Sequence, residues 1–176
     1  MTANILDAAA RETLRFAYGD TVLGTIVVAE SVRGIAALFI GDDRAKLLRD
    51  LKGAFPEAEL VHDETGLAQT VTKTTALVDA PHTGFDQTLD LRGSPVEVAV
   101  WNALRTIPAG ETRSYGAIAK SLPITATAQD VGAACAANRI AVAVPCHRIV
   151  KSDGSISGYR WGVQRKRRLI NIEGVA

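Results

Sequence analysis

The chain has 176 residues, of which 47% are hydrophobic and 22% charged, enough for one large domain or two small ones around a buried core. No apolar run reaches the roughly 18 residues that a transmembrane helix needs, and Met1 to Asp7 lacks the basic-then-apolar pattern of a signal peptide, so neither a membrane nor a secreted protein is expected. The net charge is only +1, but residues 1–91 hold 8 Lys/Arg against 14 Asp/Glu and residues 92–176 hold 12 against 5, so an acidic half precedes a basic one that suits a polyanion such as nucleic acid.

Residues 12–40 read as an antiparallel meander. Leu14 to Tyr18 alternates, Gly24 to Ala29 is β-branched, and Ile35 to Ile40 makes a third strand, with turn signals at Gly19-Asp20 and Ser31-Gly34. Asp42 or Asp43 caps a helix through about Ala54 that carries Leu47, Leu48 and Leu51 at helical spacing, and Pro56 stops it. A second helix is predicted over Glu64 to Val78, followed by a loop at residues 80–84 and a short strand at Gln87 to Leu91. His62 and His82 stand alone, and nothing in this half clusters into a site. Arg92-Gly93 marks a boundary, giving an N-terminal α/β scaffold over 1–91 and a mostly helical second domain over 92–176.

The second domain opens with Ser94, Pro95 and Glu97, a capping box with proline at the first helical position, and Val96, Val100, Leu104 and Ile107 share one face. A short amphipathic helix is expected within Thr112 to Leu122. Pro123 breaks it, and a helix of small residues runs from about Thr127 to Ala137. Two short helices so joined describe a helix-turn-helix, and from pattern alone an ordinary helical hairpin fits equally. Small side chains suit close backbone approach to a minor groove, or tight packing. Asn138 is placed where a left-handed residue would be useful. Ile140 to Val144 is expected to be a buried strand, Lys151 to Ser155 a polar turn, and Ile156 to Gly162 an aromatic loop. The last helix covers Val163 to Ile172, and positions 163, 166, 170 and 173 share a face, which aims Glu173 toward the core.

The chemistry gathers at Val144-Pro145-Cys146-His147-Arg148-Ile149-Val150. The reactive form of cysteine is the thiolate, and a free thiol titrates near ~8.5, so activation needs a neighbouring base or positive charge. His147 and Arg148 offer both. Adjacent side chains on an extended chain point apart, so the imidazole reaches the thiol through a bend or one water, with Glu173 as the group that orients it. A buried structural cysteine beside a satisfied histidine is the alternative. Cys135, Cys146 and His147 are too few and too poorly spaced for a metal. The 2 cysteines give no disulfide framework and point to the reducing cytoplasm.

Val-Pro-Cys-His-Arg-Ile-Val, preceded by Ala-Cys-Ala-Ala-Asn and followed by Ser-Gly-Tyr-Arg-Trp-Gly-Val-Gln-Arg-Lys, resembles the methylated-DNA–protein-cysteine methyltransferases, and within them the C-terminal half of Ada-type regulators. The resemblance runs from about Tyr18 to Glu173. It implies a ribonuclease-H-like N-terminal domain and a helix-turn-helix, winged-helix-like C-terminal domain. The implied activity is repair of double-stranded DNA by irreversible, single-turnover transfer of an alkyl group from O6-alkylguanine, and from O4-methylthymine, to a cysteine, without cofactor or metal and as a monomer. By position, Cys146 is the acceptor, His147 the water-linked base, Glu173 the carboxylate behind it, and Asn138 the brace of the turn. Tyr115 crowds the phosphate and donates toward the base. The carbonyls of Cys146 and Ile149 hold the guanine amino group, Tyr159 packs on the flipped base, and the Arg160 amide meets the departing oxygen. Ser114, Thr127, Ala128, Gly132, Ala133 and Ser152 face DNA.

Three departures from the pattern shape the expectations. Gln129 stands where the family usually has an arginine that fills the gap left by the flipped base, and Asp130 after it would face phosphate. Trp161 occupies a position that is glycine in some relatives, and its bulk is expected to narrow the pocket in favour of methyl over benzyl. No first-half cysteine exists to hold zinc, so a phosphotriester-sensing half is not expected. The competing reading is a non-enzymatic sensor of alkylated DNA or a helix-turn-helix transcription regulator. The intact Cys146 argues against it.

Overall fold

A computed structural model describes residues 10–174; the Met1 to Asp7 stretch read for a signal sequence lies outside the described residues. Three antiparallel strands come first: β1 (Thr13–Thr21), β2 (Gly24–Ser31) and β3 (Gly34–Gly41). They pair in the expected meander, with Ala17 opposite Val28 and Val28 opposite Leu38. Helix α1 (Arg44–Ala54) is capped by Asp43, whose side chain accepts from Ala45 N, and it buries Leu47 and Leu51 against β2 and β3. A fourth strand, β4 (Glu59–His62), lies parallel to β1 and completes a mixed sheet in the order β3-β2-β1-β4. The sequence reading missed β4, because Glu59 and His62 are exposed and the run is too short to alternate visibly. Helix α2 (Ala68–Asp79) starts later than expected. Asp63 intervenes: its carboxylate takes the Gly66 N–H and its carbonyl the Leu67 N–H, which holds 63–67 as a turn.

The edge of β3 is closed by two stretches from later in the chain. Leu89 makes a single bridge to Ile35, and Ile140 a single bridge to Leu38. Both segments were expected as strands, Gln87 to Leu91 and Ile140 to Val144, and both are single bridges instead. Gly34 permits the first: its φ is 140°, and a Cβ there would stand 2.4 Å from the Thr88 carbonyl oxygen. At the second, Leu38 N donates to Arg139 O and Ala141 N to Leu38 O, both at 2.9 Å, and then Val144 N turns back to Ile140 O. The run is apolar because it is a buried turn, with Ile140, Ala141, Val142 and Val144 all inside. Covering the β3 edge in this way removes an open template for aggregation, and it fixes the segment that leads to Cys146.

The remaining elements are helical. Helix α3 (Pro95–Leu104) has the expected Ser94–Glu97 capping box. Arg113–Ser114 forms a two-residue strand, β5, rather than the first turn of the next helix, and Ser114 caps α4 (Tyr115–Ser121). Helix α5 (Ala128–Ala137) packs against both α3 and α4, and Trp101 on α3 donates its indole N–H to Ala134 O at 2.8 Å. A short 3-10 turn, Cys146–Arg148, leads into β6 (Ile149–Val150), which pairs in parallel with β5. Helix α6 (Val163–Ile172) ends the described chain and buries Lys166, Leu169 and Ile170. Among the described residues no helix is long and apolar enough to cross a membrane.

Candidate active site

The site is built on the chain that leaves α5. Asn138 is 1% exposed. Its Nδ2 donates to Val144 O at 3.0 Å and to Cys146 Sγ at 3.3 Å, while its Oδ1 accepts from Ile140 N at 2.9 Å. One side chain thus closes the loop 138–146 and reaches the sulfur. Its backbone is not left-handed as expected (φ −59°, ψ 127°); the amide side chain does the work. The left-handed residue is Val142, with φ 65°. A β-branched residue there costs of order 1–3 kcal/mol. Its burial and the hydrogen-bonded ends of the loop hold it in place.

Cys146 opens the 3-10 turn and is buried. Burial pushes its thiol above the ordinary range, against the pull of the Asn138 hydrogen bond and the positive charge of Lys166. At rest the sulfur is therefore a sheltered, protonated thiol. His147 is 0% exposed, and its Nε2 lies 2.7 Å from Glu173 Oε1. Burial works against ionised Glu173, but the hydrogen bonds from His147 and Arg148 outweigh it and hold the carboxyl down at about 2. Burial also pushes the imidazole below its ordinary range, despite Glu173. A neutral imidazole facing a carboxylate donates from Nε2 and keeps its lone pair on Nδ1. That Nδ1 is buried and has no protein hydrogen-bond partner. The pair is thus a base whose accepting atom is free to take a proton.

Arg148 departs from expectation. It does not activate the thiol; its Nε and Nη2 donate to Glu173 and its Nη1 to Ile107 O at 2.7 Å. The cation that the sequence reading missed is Lys166, which is 1% exposed. Its position on the same helical face as Ile170 and Glu173 was the available signal.

Cys146 opens onto a cavity of about 410 Å³ lined by Tyr115, Gly132, Cys135, Ala136, Gly158, Tyr159 and Arg160, within the size range of pockets that bury a small molecule. Tyr115 is half-buried, and its hydroxyl hydrogen-bonds Ser157 Oγ. The buried hydroxyl of Tyr159 has no protein partner. Burial raises both phenols, so both stay protonated. Arg160 reaches out of the pocket: Nη1 donates to Asn138 O at 2.6 Å, and the guanidinium lies over Phe39 and Trp161. Trp161 does not line this cavity, which removes the basis for its expected narrowing effect. It faces a neighbouring groove of about 830 Å³ and supports Tyr159 edge-on at 5.3 Å. Ile149 is fully buried outside the pocket lining, and its N–H already donates to Cys146 O. Among the described residues no three potential ligands gather for a metal.

The residues expected to face DNA fall around the exposed N-terminus of α5. Thr127, Ala128, Gln129 and Ala133 are exposed, and Gly132 faces the pocket. Asp130 does not stand free toward phosphate. Its carboxylate takes the Thr127 N–H at 2.7 Å and the Thr127 hydroxyl at 2.9 Å, a capping box the sequence reading missed. Ser114 spends its hydroxyl on Ala117 N, and Ser152 lies exposed in the polar turn.

Residues 95–175 match the family described as 6-O-methylguanine DNA methyltransferase, DNA binding domain. The bifunctional transcriptional activator/DNA repair enzyme Ada of Escherichia coli is 43% identical over 160 residues, which cover 91% of this chain and 45% of that protein. An inducible methylated-DNA–protein-cysteine methyltransferase of Bacillus subtilis is 33% identical over 149 residues, covering 83% of this chain and 82% of that protein. The crystal structure of Mycobacterium tuberculosis OGT in complex with DNA superposes with a TM-score of 0.73 at 33% identity, covering 92% of each chain. The chain spans about half the length of several curated relatives it matches, 45% of the Escherichia coli protein and 55% of a methyltransferase from Mycobacterium tuberculosis.

Proposed function

We propose that the chain, which belongs to the methylated-DNA–protein-cysteine methyltransferase family, transfers the alkyl group of O6-alkylguanine, and of O4-methylthymine, in double-stranded DNA to the sulfur of Cys146. The observation that carries this reading is a thiol in the wall of a base-sized pocket, backed by the buried His147–Glu173 pair with its Nδ1 lone pair open.

The reaction follows from those groups. A base inside a duplex cannot reach Cys146, so it swings out at a cost of roughly a few kcal/mol and enters beside Tyr159. The thiol proton passes to Nδ1 of His147, directly or through one water, and the imidazolium is held by Glu173. Sulfur attacks the alkyl carbon, the carbon–O6 bond breaks with its electron pair on the base, and the base takes up a proton. The product is a thioether and an unmodified guanine. A thioether sulfur has no proton to lose and is a poor leaving group, so the chain acts once. Gly132 and the exposed start of α5 suit close approach to the minor groove, and Gln129 would fill the place of the extruded base.

We read residues 1–91 as a ribonuclease-H-like scaffold and 92–176 as the winged-helix-like domain that binds DNA and accepts the alkyl group, in a monomeric cytoplasmic protein. The parallel placement of β4 beside β1 supports the first label, and the pairing of β5 with β6 next to α4 and α5 supports the second.

Intact-mass measurement after incubation with a duplex containing O6-methylguanine tests the activity. The chain gains one CH₂ at Cys146, and Cys146→Ala gains nothing. A chain that shifts such a duplex on a gel but gains no mass is a sensor instead, and the proposal fails.

A further inference from the structure

A duplex is held largely by cations on its phosphates, yet the helix expected to meet it supplies none. The only charge on α5 is Asp130. Unspent cations gather instead in the groove of about 830 Å³ beside the Cys146 pocket, where α1 faces the segments that follow α5 and lead into α6. Five cations and three aspartates line it, a balance of +2. The aspartates are engaged: Asp42 holds Arg165 at 2.7 Å, Asp50 holds Lys46 at 2.7 Å, and Asp43 caps α1 through Ala45 N. Arg49, Arg139 and Arg160 remain, and among the described residues none of them has a carboxylate within ion-pair distance. Arg139 lies over the Phe55 ring at 5.2 Å and Arg160 over the Phe39 ring at 5.2 Å. A guanidinium stacked on a ring keeps its planar fork of N–H groups at the edge, where a phosphate can take it. Arg160 has committed only Nη1, to Asn138 O. Burial and the Arg139 charge push Arg160 below its ordinary range, and Asp50 only partly offsets them. Like charges thus face each other with no anion between them.

The groove begins at the wall of the Cys146 pocket. Arg160 lines both, and the consecutive α5 residues Ala136 and Ala137 line one each. Gln129, at the other end of α5, is separated from Ala137 by about 12 Å along the helix, or roughly three to four base-pair steps of a duplex. We propose that this groove is a second phosphate-binding site, in which Arg49, Arg139 and Arg160 hold the sugar–phosphate backbone of the lesion-bearing duplex beside the extruded nucleotide. This inference rests on the alkyl-transfer reading of the Cys146 pocket. The site supplies the cationic anchoring that Gln129 and Asp130 withhold at the start of α5. Arg49 stands on α1, whereas Arg139 follows α5 and Arg160 precedes α6. The duplex therefore bridges the two halves of the chain, and the N-terminal half takes part in binding as well as supporting the site.

The test measures affinity for an O6-methylguanine duplex by fluorescence anisotropy across a salt series, on the full chain in a Cys146→Ala background so that no transfer intervenes. Arg49→Gln and Arg139→Gln are compared with Lys52→Gln, which removes an exposed cation of α1 that lies outside the groove. Each groove variant is expected to flatten the log–log salt slope by about 0.9, which is roughly an 8-fold loss of affinity at about 0.1 M salt, and the pair together by about 1.8. Arg139→Lys, which keeps the charge, is expected to keep most of the slope. With Cys146 restored, the variants are expected to take methyl from free O6-methylguanine base, which has no phosphate, within about two-fold of the parent rate. Slopes equal to the parent's in both groove variants overturn the proposal, and so does a loss in Lys52→Gln as large as theirs. A free-base rate that falls with duplex affinity also overturns it, because the arginines would then be shaping the pocket. If Arg139→Gln does not fold, Arg49→Gln decides, since Arg49 is exposed. A parent that binds the duplex but gains no mass overturns the alkyl-transfer reading itself, a different outcome from groove variants that match an active parent.

Discussion

Replacing Glu173 by glutamine isolates the energetic centre of the site. The carboxylate accepts from His147 Nε2 at 2.7 Å and from Arg148 Nη2 at 2.7 Å, with its side chain 0% exposed. The depression of its titration from 4.5 to about 2 corresponds to roughly 3 kcal/mol of preference for the ionised form in the folded chain. An independent estimate agrees: removing one partner of a buried ion pair costs about 3–5 kcal/mol, because the other charge is left uncompensated, here on Arg148. Glu173→Gln should therefore lose roughly 3–4 kcal/mol in urea titration at pH 7, which for a chain this long lowers Tm by roughly 10 °C. The pH dependence gives the second readout. The folded carboxyl titrates below the unfolded one, so its contribution is complete above about 4.5 and is lost as pH falls toward about 2. The stability gap between parent and variant should close over that interval. A gap under about 1 kcal/mol at pH 7, or one that persists unchanged at pH 2.5 by chemical denaturation, refutes the assignment of Glu173 as the charge that holds His147 and Arg148.

Three further outcomes follow from the geometry. Asn138→Ala strands the Ile140 N–H in the interior and takes one of two donors from Val144 O, which keeps the Cys146 N–H, so it should cost roughly 1–3 kcal/mol, and Cys146 should react more slowly with small thiol reagents at fixed pH because its side-chain N–H donor is gone. Gln129→Arg adds a cation at the exposed start of α5; duplex affinity measured by fluorescence anisotropy should rise, with a log–log salt slope steeper by about 0.9. Trp161→Phe should leave the ratio of methyl to benzyl transfer unchanged, because Trp161 lies outside the Cys146 pocket, while thermal denaturation shows a loss of roughly 1–2 kcal/mol from the cavity it leaves.

Local signals in the chain were sufficient where local physics decides. The meander was readable because β-branched runs alternate with turn residues, and the Ser94–Glu97 box because both partners lie within four residues. The site was partly readable for the same reason: Cys146 and His147 are adjacent, and the 3.6-residue period of α6 aims Glu173 inward. What failed is long-range. Whether Ile140 to Val144 becomes a strand depends on how much of the β3 edge is free, and β3 offers it one bridge at Leu38. Whether Arg148 serves the sulfur or the carboxylate depends on where α6 ends, 25 residues later. Lys166 was passed over because a lysine in a run of cations reads as solvated, and only its buried face shows otherwise.

The titration shifts around Cys146 appear at first to oppose its chemistry. A nucleophile wants a low pKa, and burial raises this one. A single-turnover acceptor has a second requirement, which is to survive unspent until it meets the damaged base. A sheltered neutral thiol reacts poorly with stray electrophiles, and the surrounding groups are arranged to change that state only when the pocket fills. The base lone pair on His147, the Asn138 N–H at the sulfur and the nearby Lys166 charge all favour the thiolate. Desolvation alone holds it back. In the proposed reaction the entering base brings the alkyl carbon to the sulfur, so loss of the proton and capture of the carbon can occur in one event. On this reasoning a thiol reagent at neutral pH should modify Cys146 more slowly than an exposed cysteine, even though in the proposed reaction the same sulfur accepts carbon from DNA.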